Sequence, residues 1–494
     1  MSKLKEALYL TKHLRLCEQR ALDEQGLTEE DLMMRAGVAA LNTLKTHYPD
    51  VRAVAIFCGS GNNAGDGYVL AKLLFEHEFY VVVHQYKAVE NLPPTAQHAA
   101  LAALAAGIPF QYADDVIDSE VELVVDALLG IGIEGDVREP IAHAIDLIND
   151  SGLPVLSLDV PSGLDADTGR VLGVCVNADV TITFIAQKVG LFTLDGVDYC
   201  GKVVCHNLQL AHCLATLQPA VFKLDQQLLQ GIIAPRRRNS HKGDFGHVLI
   251  IGGGPGMPGA VCLAAMAAFR VGAGRVTIAT LPEHTTGILS LLPEAMVYPI
   301  DESDALLPLL ETATIGVIGP GLGESEWAGQ LFQAAIAAQI PLVIDASALR
   351  MLAHNPQHDD NWVLTPHPGE AASLLACSTA DIQLNRLKSA QLIQQQYGGT
   401  VVLKGAGSIV KSSEFETYIC TAGNPGMASA GMGDVLSGVI GGLVAQGLSL
   451  ADAAKLGVWL HAQAGDEAVL KQGERGLIAS DLMPYLRRQI NKCI

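Results

Sequence analysis

The stretch NPGMASAGMGDVLSG, Asn424 to Gly438, sets glycines and a proline ahead of an apolar run, VLSGVIGGLVAQG, with helical character. Glycine is among the poorest helix formers, so its concentration at a helix start calls for a physical reason. Glycines there let the first N–H groups approach an anion unhindered by Cβ, and the helix dipole favours negative charge. The loop Ala430 to Gly433 is therefore expected to form an anion hole. Asp434, one residue on, stands where it could take a proton from a hydroxyl attacking a phosphoryl group.

Around this stretch lie other strand-to-loop junctions. VVLKGAGS carries Lys404, Gly405, Ala406, Gly407 and Ser408, a strand leading into a loop for nucleotide phosphates with Lys404 as a point charge. GPGLG, Gly319 to Gly323, would let a ligand lie against the backbone. TPHPGE holds His367 between two prolines, so its placement is stiff. GxxxxGK[ST] and the protein-kinase loops do not occur, which excludes a Walker-type site. These junctions belong to a series of apolar runs: GHVLIIGGG, GRVTIAT, IGVIGPG, PLVIDAS, NWVLTPH and TVVLKG.

An earlier series comprises VRAVAIFCG, FYVVVHQYK, VELVVDALL, PVLSLDVPSG and VTITFIAQ. Continuous apolar runs of this length read as buried parallel strands. The stretches between them, GYVLAKLLFEHE and TAQHAALAALAAG, read as helices, as does the leader EEDLMMRAGVAALNTLKTHY. The fold class expected is α/β, with two three-layer αβα domains at residues 1–215 and 222–494.

In the first series VRAVAIFCG runs into GSGNNAGDG, where Gly59, Gly61 and Ala64 fit a loose dinucleotide fingerprint. The next strand ends in His84, Gln85 and Tyr86, without the acid that an ordinary dinucleotide site places on the ribose. Instead Asn62, Asn63 and Asp66 crowd this junction, and two further strands end in Asp126 and Asp159. Adjacent parallel strands would bring those ends into one crevice. Asn63, Asp126 and the Ser162 hydroxyl could give oxygen ligands to a hard cation, and Asp159 could shuttle a proton.

The chain has 494 residues, 32 basic and 52 acidic side chains and a net charge of −20, which argues against a nucleic-acid surface. An anionic ligand must then be held by local N–H groups against the global field. Ten cysteines without a CxxC pair suit reduced thiols in the cytoplasm. No uninterrupted apolar stretch suits a secretory signal or a membrane span.

Taken together, GSGNNAGDG, LDVPSGLDADTG, KGDFGHVLIIGG, GPGLG, TPHPGE, VVLKGAGS and NPGMASAGMGDVLSG resemble, in order, the motifs of the bifunctional NAD(P)H-hydrate repair enzymes. That family fuses an epimerase to an ADP- or ATP-dependent dehydratase. The resemblance implies a Rossmann-like first domain and a ribokinase-like second one. It also implies, as substrates, NADH and NADPH hydrated at carbon 6 of the nicotinamide ring. The first domain would interconvert R and S epimers. The second would dehydrate the S epimer through a phosphorylated intermediate.

Carried over, Asn62, Asn63, Ala64, Gly65 and Asp66 would bind the hydrate in the first domain, with Asp159. So would Gly130, Ile131, Gly132, Ile133, Glu134, Gly135 and Asp136. Asn63, Asp126 and Ser162 would hold potassium. In the second domain Ala260, Gly323, His367 and Asp434 would face the hydrate. Lys404 to Ser408 and Gly433 would hold ADP or ATP with magnesium. A homo-oligomer is expected. One departure is visible: many relatives carry Glu where this chain has Met34. The rival readings are a ribokinase-class vitamin-precursor kinase, which would keep its phosphorylated product, and a non-catalytic nucleotide sensor, which would need no base.

Overall fold

The apolar runs of the first series become one parallel sheet. In the computed structural model, which describes residues 6–112, 116–133 and 135–493, the chain divides into two units, Met1–Val221 and Phe222–Ile494.

In the first unit the strand order is Phe110–Tyr112, Tyr80–Gln85, Ala53–Cys58, Leu123–Ala127, Val155–Leu158, Val180–Phe184 and Lys202–His206. All neighbours are parallel. The four strands Ala53–Cys58, Leu123–Ala127, Val155–Leu158 and Val180–Phe184 are buried along their whole length. That is the pattern of strands covered by helices on both faces. From Ala53–Cys58 the chain first builds outward through Tyr80–Gln85 and Phe110–Tyr112, then returns to Leu123–Ala127 on the other side. Ligands gather at such a reversal, outside the carboxyl ends of the strands. Gly59 stands there because a Cβ would lie 1.9 Å from the Leu128 carbonyl oxygen.

The second unit repeats the logic. Its sheet runs Val221–Lys223, Tyr418–Cys420, Ser408–Ser412, Thr400–Leu403, Trp362–Leu364, Leu342–Ile344, Ile315–Ile318, His247–Ile251, Arg275–Thr280 and Met296–Pro299. Only the pairings made by Ser408–Ser412 are antiparallel. Along His247–Ile251, Val248 and Ile250 join one apolar core while Leu249 and Ile251 join another. Period-2 alternation thus feeds two helical layers. The reversal of direction falls between His247–Ile251 and Ile315–Ile318. Their loops interlock there: the Gly253 and Gly254 N–H groups donate to the Pro320 and Gly321 carbonyls at 3.0 and 2.6 Å.

The glycine-rich stretch departs from its expected form. The helix spans Met432–Ala445, and Gly431 with φ +88° is its N-cap, so the expected loop Ala430 to Gly433 already ends at Gly431. Several glycines serve packing rather than an anion. A Cβ on Gly438 would lie 2.0 Å from the Ala264 carbonyl oxygen, and one on Gly441 would lie 2.5 Å from Val317 Cγ2. They let this helix sit close against Pro258–Val271 and against the sheet.

Candidate active sites, one in each unit

In the first unit a cavity of ≈590 Å³ opens at the strand reversal, and Asn62, Asn63, Asp66, Asp159 and the loop Gly130–Ile133 line it. Ala64 and Gly65 are buried and do not line it; a Cβ on Gly65 would meet the Met33 methyl at 2.3 Å. Asn62 to Asp66 are not a loop but the first turns of the helix Asn62–Glu76. Gly135 and Asp136 are exposed and do not line the cavity. Glu134 lies outside the described residues.

Asp159 follows the strand Val155–Leu158 with φ +67°, a left-handed conformation held by Val160 and Pro161 behind it. Its Oδ1 is 2.5 Å from the Lys188 ammonium and accepts from the Phe184 N–H at 3.1 Å. Lys188 is 1% exposed and also donates to Thr183 Oγ1 and the Phe184 carbonyl. Glu18, Glu29 and Asp66 line the same cavity. Burial, with Asp159 adding to it, pushes Glu18 up to about 7. Burial, with Asp159 and Glu18, raises Asp66 well above the usual carboxylate range.

Behind the cavity Asp126 is fully buried. It accepts from Ser157 Oγ and the Ser162 N–H at 2.8 Å, Ser162 Oγ at 2.5 Å and the Leu128 N–H at 3.2 Å. Burial raises its pKa, and these donors pull it back. Asn63 donates to the Leu129 carbonyl at 2.9 Å, while its Oδ1 is buried without a hydrogen-bond partner.

In the second unit the ends of three neighbouring strands place Asp345, His367 and Lys404. The Lys404 ammonium is 2.9 Å from Asp345 Oδ1 and 3.8 Å from Glu370 Oε2. Burial works against its charge, but Asp345 and Glu370 outweigh that and hold its pKa above the usual lysine value. Lys404 is thus committed to carboxylates, not free among N–H donors as its sequence context suggested. Asp345 also accepts from Ser437 Oγ at 2.7 Å. Gly433 sits over this pair: a Cβ there would lie 3.3 Å from the Lys404 Nζ.

Asp434 occupies the first turn of Met432–Ala445, half-buried. Burial, with Asp345 adding and Lys404 opposing, pushes its carboxyl up to about 7. It therefore belongs to the helix and not to the glycine-rich loop before it. His367 is the N-cap of the helix Pro368–Leu374; its Nδ1 accepts from the Gly369 and Glu370 N–H groups, leaving Nε2 3.2 Å from Glu370 Oε1. The Lys404–Ser408 segment is the turn between antiparallel strands, with Gly405 and Ala406 exposed. Arg386, 3% exposed, braces it by donating to the Gly407 carbonyl at 3.1 Å. Ala260 lies beside the GPGLG turn: a Cβ on Gly321 would be 3.0 Å from its own. Gly323 belongs to that turn, with φ +77°.

A larger cavity, ≈1430 Å³, lies by Gly272 and Gln446, the C-caps of Pro258–Val271 and Met432–Ala445. Asp434 is at the other end of the latter helix, so that cavity is away from the carboxyl cluster.

Sequence reasoning passed over Glu18, Lys188, Asp345, Glu370 and Ser437. Asp345 and Glu370 stand inside PLVIDAS and TPHPGE, and Lys188 directly follows VTITFIAQ. Strand-end position was the available signal for Asp345.

Comparison with known proteins matches residues 248–488 to the NAD(P)H-hydrate dehydratase family model and residues 29–190 to that of the YjeF-related protein N-terminus. The bifunctional NAD(P)H-hydrate repair enzyme of Coxiella burnetii is 45% identical, over 98% of this chain and 99% of its own. A ribokinase-like superfamily protein of Enterococcus faecalis, of known structure, is 30% identical, with a TM-score of 0.52 over 56% of this chain and 98% of its own. The ADP/ATP-dependent NAD(P)H-hydrate dehydratase of Bacillus subtilis, co-crystallised with ATP and magnesium, is 27% identical. It covers 56% of this chain and 99% of its own, with a TM-score of 0.50. The chain belongs to the family of bifunctional NAD(P)H-hydrate repair enzymes.

Proposed function

We propose that this chain repairs hydrated NADH and NADPH: residues 1–215 interconvert the R and S epimers, and residues 222–494 dehydrate the S epimer at the expense of ADP or ATP. The observation that carries the reading is Asp434, a half-buried carboxyl at a helix start, pushed up to about 7 beside a neutralised lysine. A base poised near neutrality suits removal of a proton from a hydroxyl.

Asp434 takes the proton of the carbon-6 hydroxyl as its oxygen attacks the terminal phosphoryl group, and the bridging P–O bond breaks to release AMP from ADP or ADP from ATP. Phosphate then leaves carbon 6, expelled by the ring-nitrogen lone pair, and loss of a carbon-5 proton restores the reduced ring. Ala260, Gly323 and the Nε2 side of His367 flank the hydrate. Lys404 to Ser408 and Gly433 flank the nucleotide, which brings its magnesium with it. Lys404 keeps Asp345 and Glu370 from repelling the phosphates.

In the first unit Asn62, Asn63, Asp66, Asp159 and the Gly130–Ile133 loop hold the hydrate. Potassium fits Asn63, Asp126 and Ser162: the donors are all oxygen, Asn63 Oδ1 is orphaned, and Asp126 is a buried carboxylate. Bound there, the ion would supply positive charge to a cavity that takes an anionic substrate. Asp126→Ala should raise the substrate requirement and blunt the potassium dependence of epimerisation.

Ten free cysteines support a cytoplasmic enzyme, and no described helix is long and apolar enough to cross a membrane. Exposed Leu291 and Leu470 support a homo-oligomer. The decisive experiment incubates the protein with chemically hydrated NADH plus ADP or ATP and follows the absorbance of reduced nicotinamide. A stable phosphorylated product would favour the kinase reading, and no turnover the sensor.

A further inference from the structure

Among the groups lining the cavity of the first unit are the Glu18, Asp66 and Asp159 carboxyls and the Lys188 ammonium, from four separate elements, with the exposed Arg15 and Glu29 also on its lining. Asp66 lies on the helix Asn62–Glu76 and Asp159 at a strand end. Lys188 precedes the single turn Val189–Phe192, and Glu18 is on the helix Thr11–Gln25. The ammonium is spoken for. Lys188 touches Asp159 at 2.5 Å and has its remaining donors on Thr183 and Phe184. That contact fixes the Asp159 carboxyl on the cavity wall, where it can meet a bound substrate. Among the described residues no ion pair or hydrogen bond holds the Glu18 carboxyl.

The helix that carries Glu18 is pinned over the cavity at two points. At its start Thr11 N–H and Oγ1 donate to Asp167 Oδ1 and Oδ2 at 2.6 and 3.0 Å. Asp167 belongs to LDADTG, the loop that follows Asp159, and Asp165 Oδ1 fixes it through its N–H at 2.9 Å. One turn further along, Arg15 reaches the Ile131 carbonyl at 3.5 Å, across the mouth of the cavity. LDADTG thus positions a helix as well as closing a turn.

We propose that Glu18 is the second proton-transferring group of the epimerase, acting as the acid while Asp159 acts as the base. The proposal rests on the epimerase reading of this cavity. Neutral Glu18 gives its proton to the carbon-6 hydroxyl. The C6–O bond breaks with its electron pair on oxygen, water departs, and the ring-nitrogen lone pair forms the N1=C6 double bond. Water then adds to carbon 6 from the other face, the N1=C6 pair returns to nitrogen, and Asp159 takes the released proton. Its return to Glu18 closes the cycle with no net change in protons or electrons. The groups that set Glu18's titration are Asp159, Lys188, Arg15 and Glu29, with Asp66 facing the same space. Burial leads them and holds Glu18 near 7, so the acid form is present at neutral pH.

The test follows R-to-S conversion by the full chain, by chromatography of the epimers, with dehydration of pure S epimer as the check on folding. The Glu18→Gln variant should lose roughly a hundredfold in conversion, and Glu18→Asp should recover part of it. In the native enzyme conversion should fall as pH rises through about 7, and Glu18→Gln should lack that limb. Native rate and native pH profile in Glu18→Gln would overturn the proposal and leave the epimerase reading standing. Failure of the unsubstituted chain to convert R to S would overturn both.

Discussion

Each unit holds an aspartate paired with a lysine, Asp159 with Lys188 and Asp345 with Lys404. Each also holds a carboxyl pushed up to about 7, Glu18 and Asp434. The parts are alike but the assignments are opposite. In the roles proposed above, the paired aspartate of the first unit faces the cavity and acts as the base, while the unpaired carboxyl must be protonated. In the second the paired aspartate is 1% exposed and structural, and the unpaired carboxyl must lose its proton. A lysine therefore marks the reacting acid in one unit and its neighbour in the other. What decides is the side on which the substrate can lie.

The comparison breaks most visibly at the paired aspartates' ends of the argument. Asp159→Asn should abolish R-to-S conversion and leave dehydration of the S epimer unchanged. It removes the base and leaves Lys188, 1% exposed, without its counter-charge. Conversion at the native rate would demote Asp159 to a binding residue.

Next in size is Asp434→Asn, which should lower dehydration by roughly a hundredfold or more while nucleotide binding persists. Equilibrium binding of ATP beside single-turnover kinetics separates the two. Near-native turnover would remove Asp434 from the role of base. The substitution also has a stability signature. A carboxyl raised from about 4 to about 7 contributes stability below the unfolded value and loses it as pH rises through 7. The Asn variant should therefore melt no lower than the native chain at pH 8.

Smaller, and specific to the pairing, is the effect of pH. Dehydration needs Asp434 ionised, so its rate should fall about tenfold per pH unit well below 7. Epimerisation needs Glu18 protonated, so its rate should fall on the alkaline side of the same value. Opposite limbs from one preparation would sharpen the contrast, and limbs of the same sign would break it.

How much of this was legible beforehand differs between the units for a physical reason. The apolar runs of both series became strands, because burial on both faces leaves an uninterrupted signature. The missed strands include Phe110–Tyr112, Met296–Pro299 and Tyr418–Cys420, which are short and lie toward the sheet margins, and Lys202–His206 and Ser408–Ser412, which are not buried along their whole length. Asp126, Asp159 and Lys404 were legible because strand ends can be counted. Glu18 was not, because nothing local tells a helical Glu facing a cavity from one facing water. The glycines of Asn424 to Gly438 misled in another way. Close helix packing and anion binding both favour glycine, and only the neighbouring Ala264 and Val317 separate the two causes.

The smallest effect is expected at Met34, the position at which the family resemblance leads one to expect Glu. Met34 lies on the helix Glu29–His47, is 46% exposed, and does not line the cavity, whereas its neighbour Met33 does. Successive helical residues point some 100° apart, so one lines the cavity and the next meets solvent. The acids that line the cavity come from other positions, Glu18 and Glu29 beside Asp66 and Asp159. Met34→Glu would place a charge four residues after Glu30, a like-charge spacing that costs a few tenths of a kcal/mol. Melting should therefore shift by no more than about 0.5 kcal/mol, as for an ordinary surface change. Both kcat and KM for R-to-S conversion should stay native. A several-fold gain in conversion would show that position 34 reaches the substrate after all, and the acid opposing Asp159 would then have a second candidate.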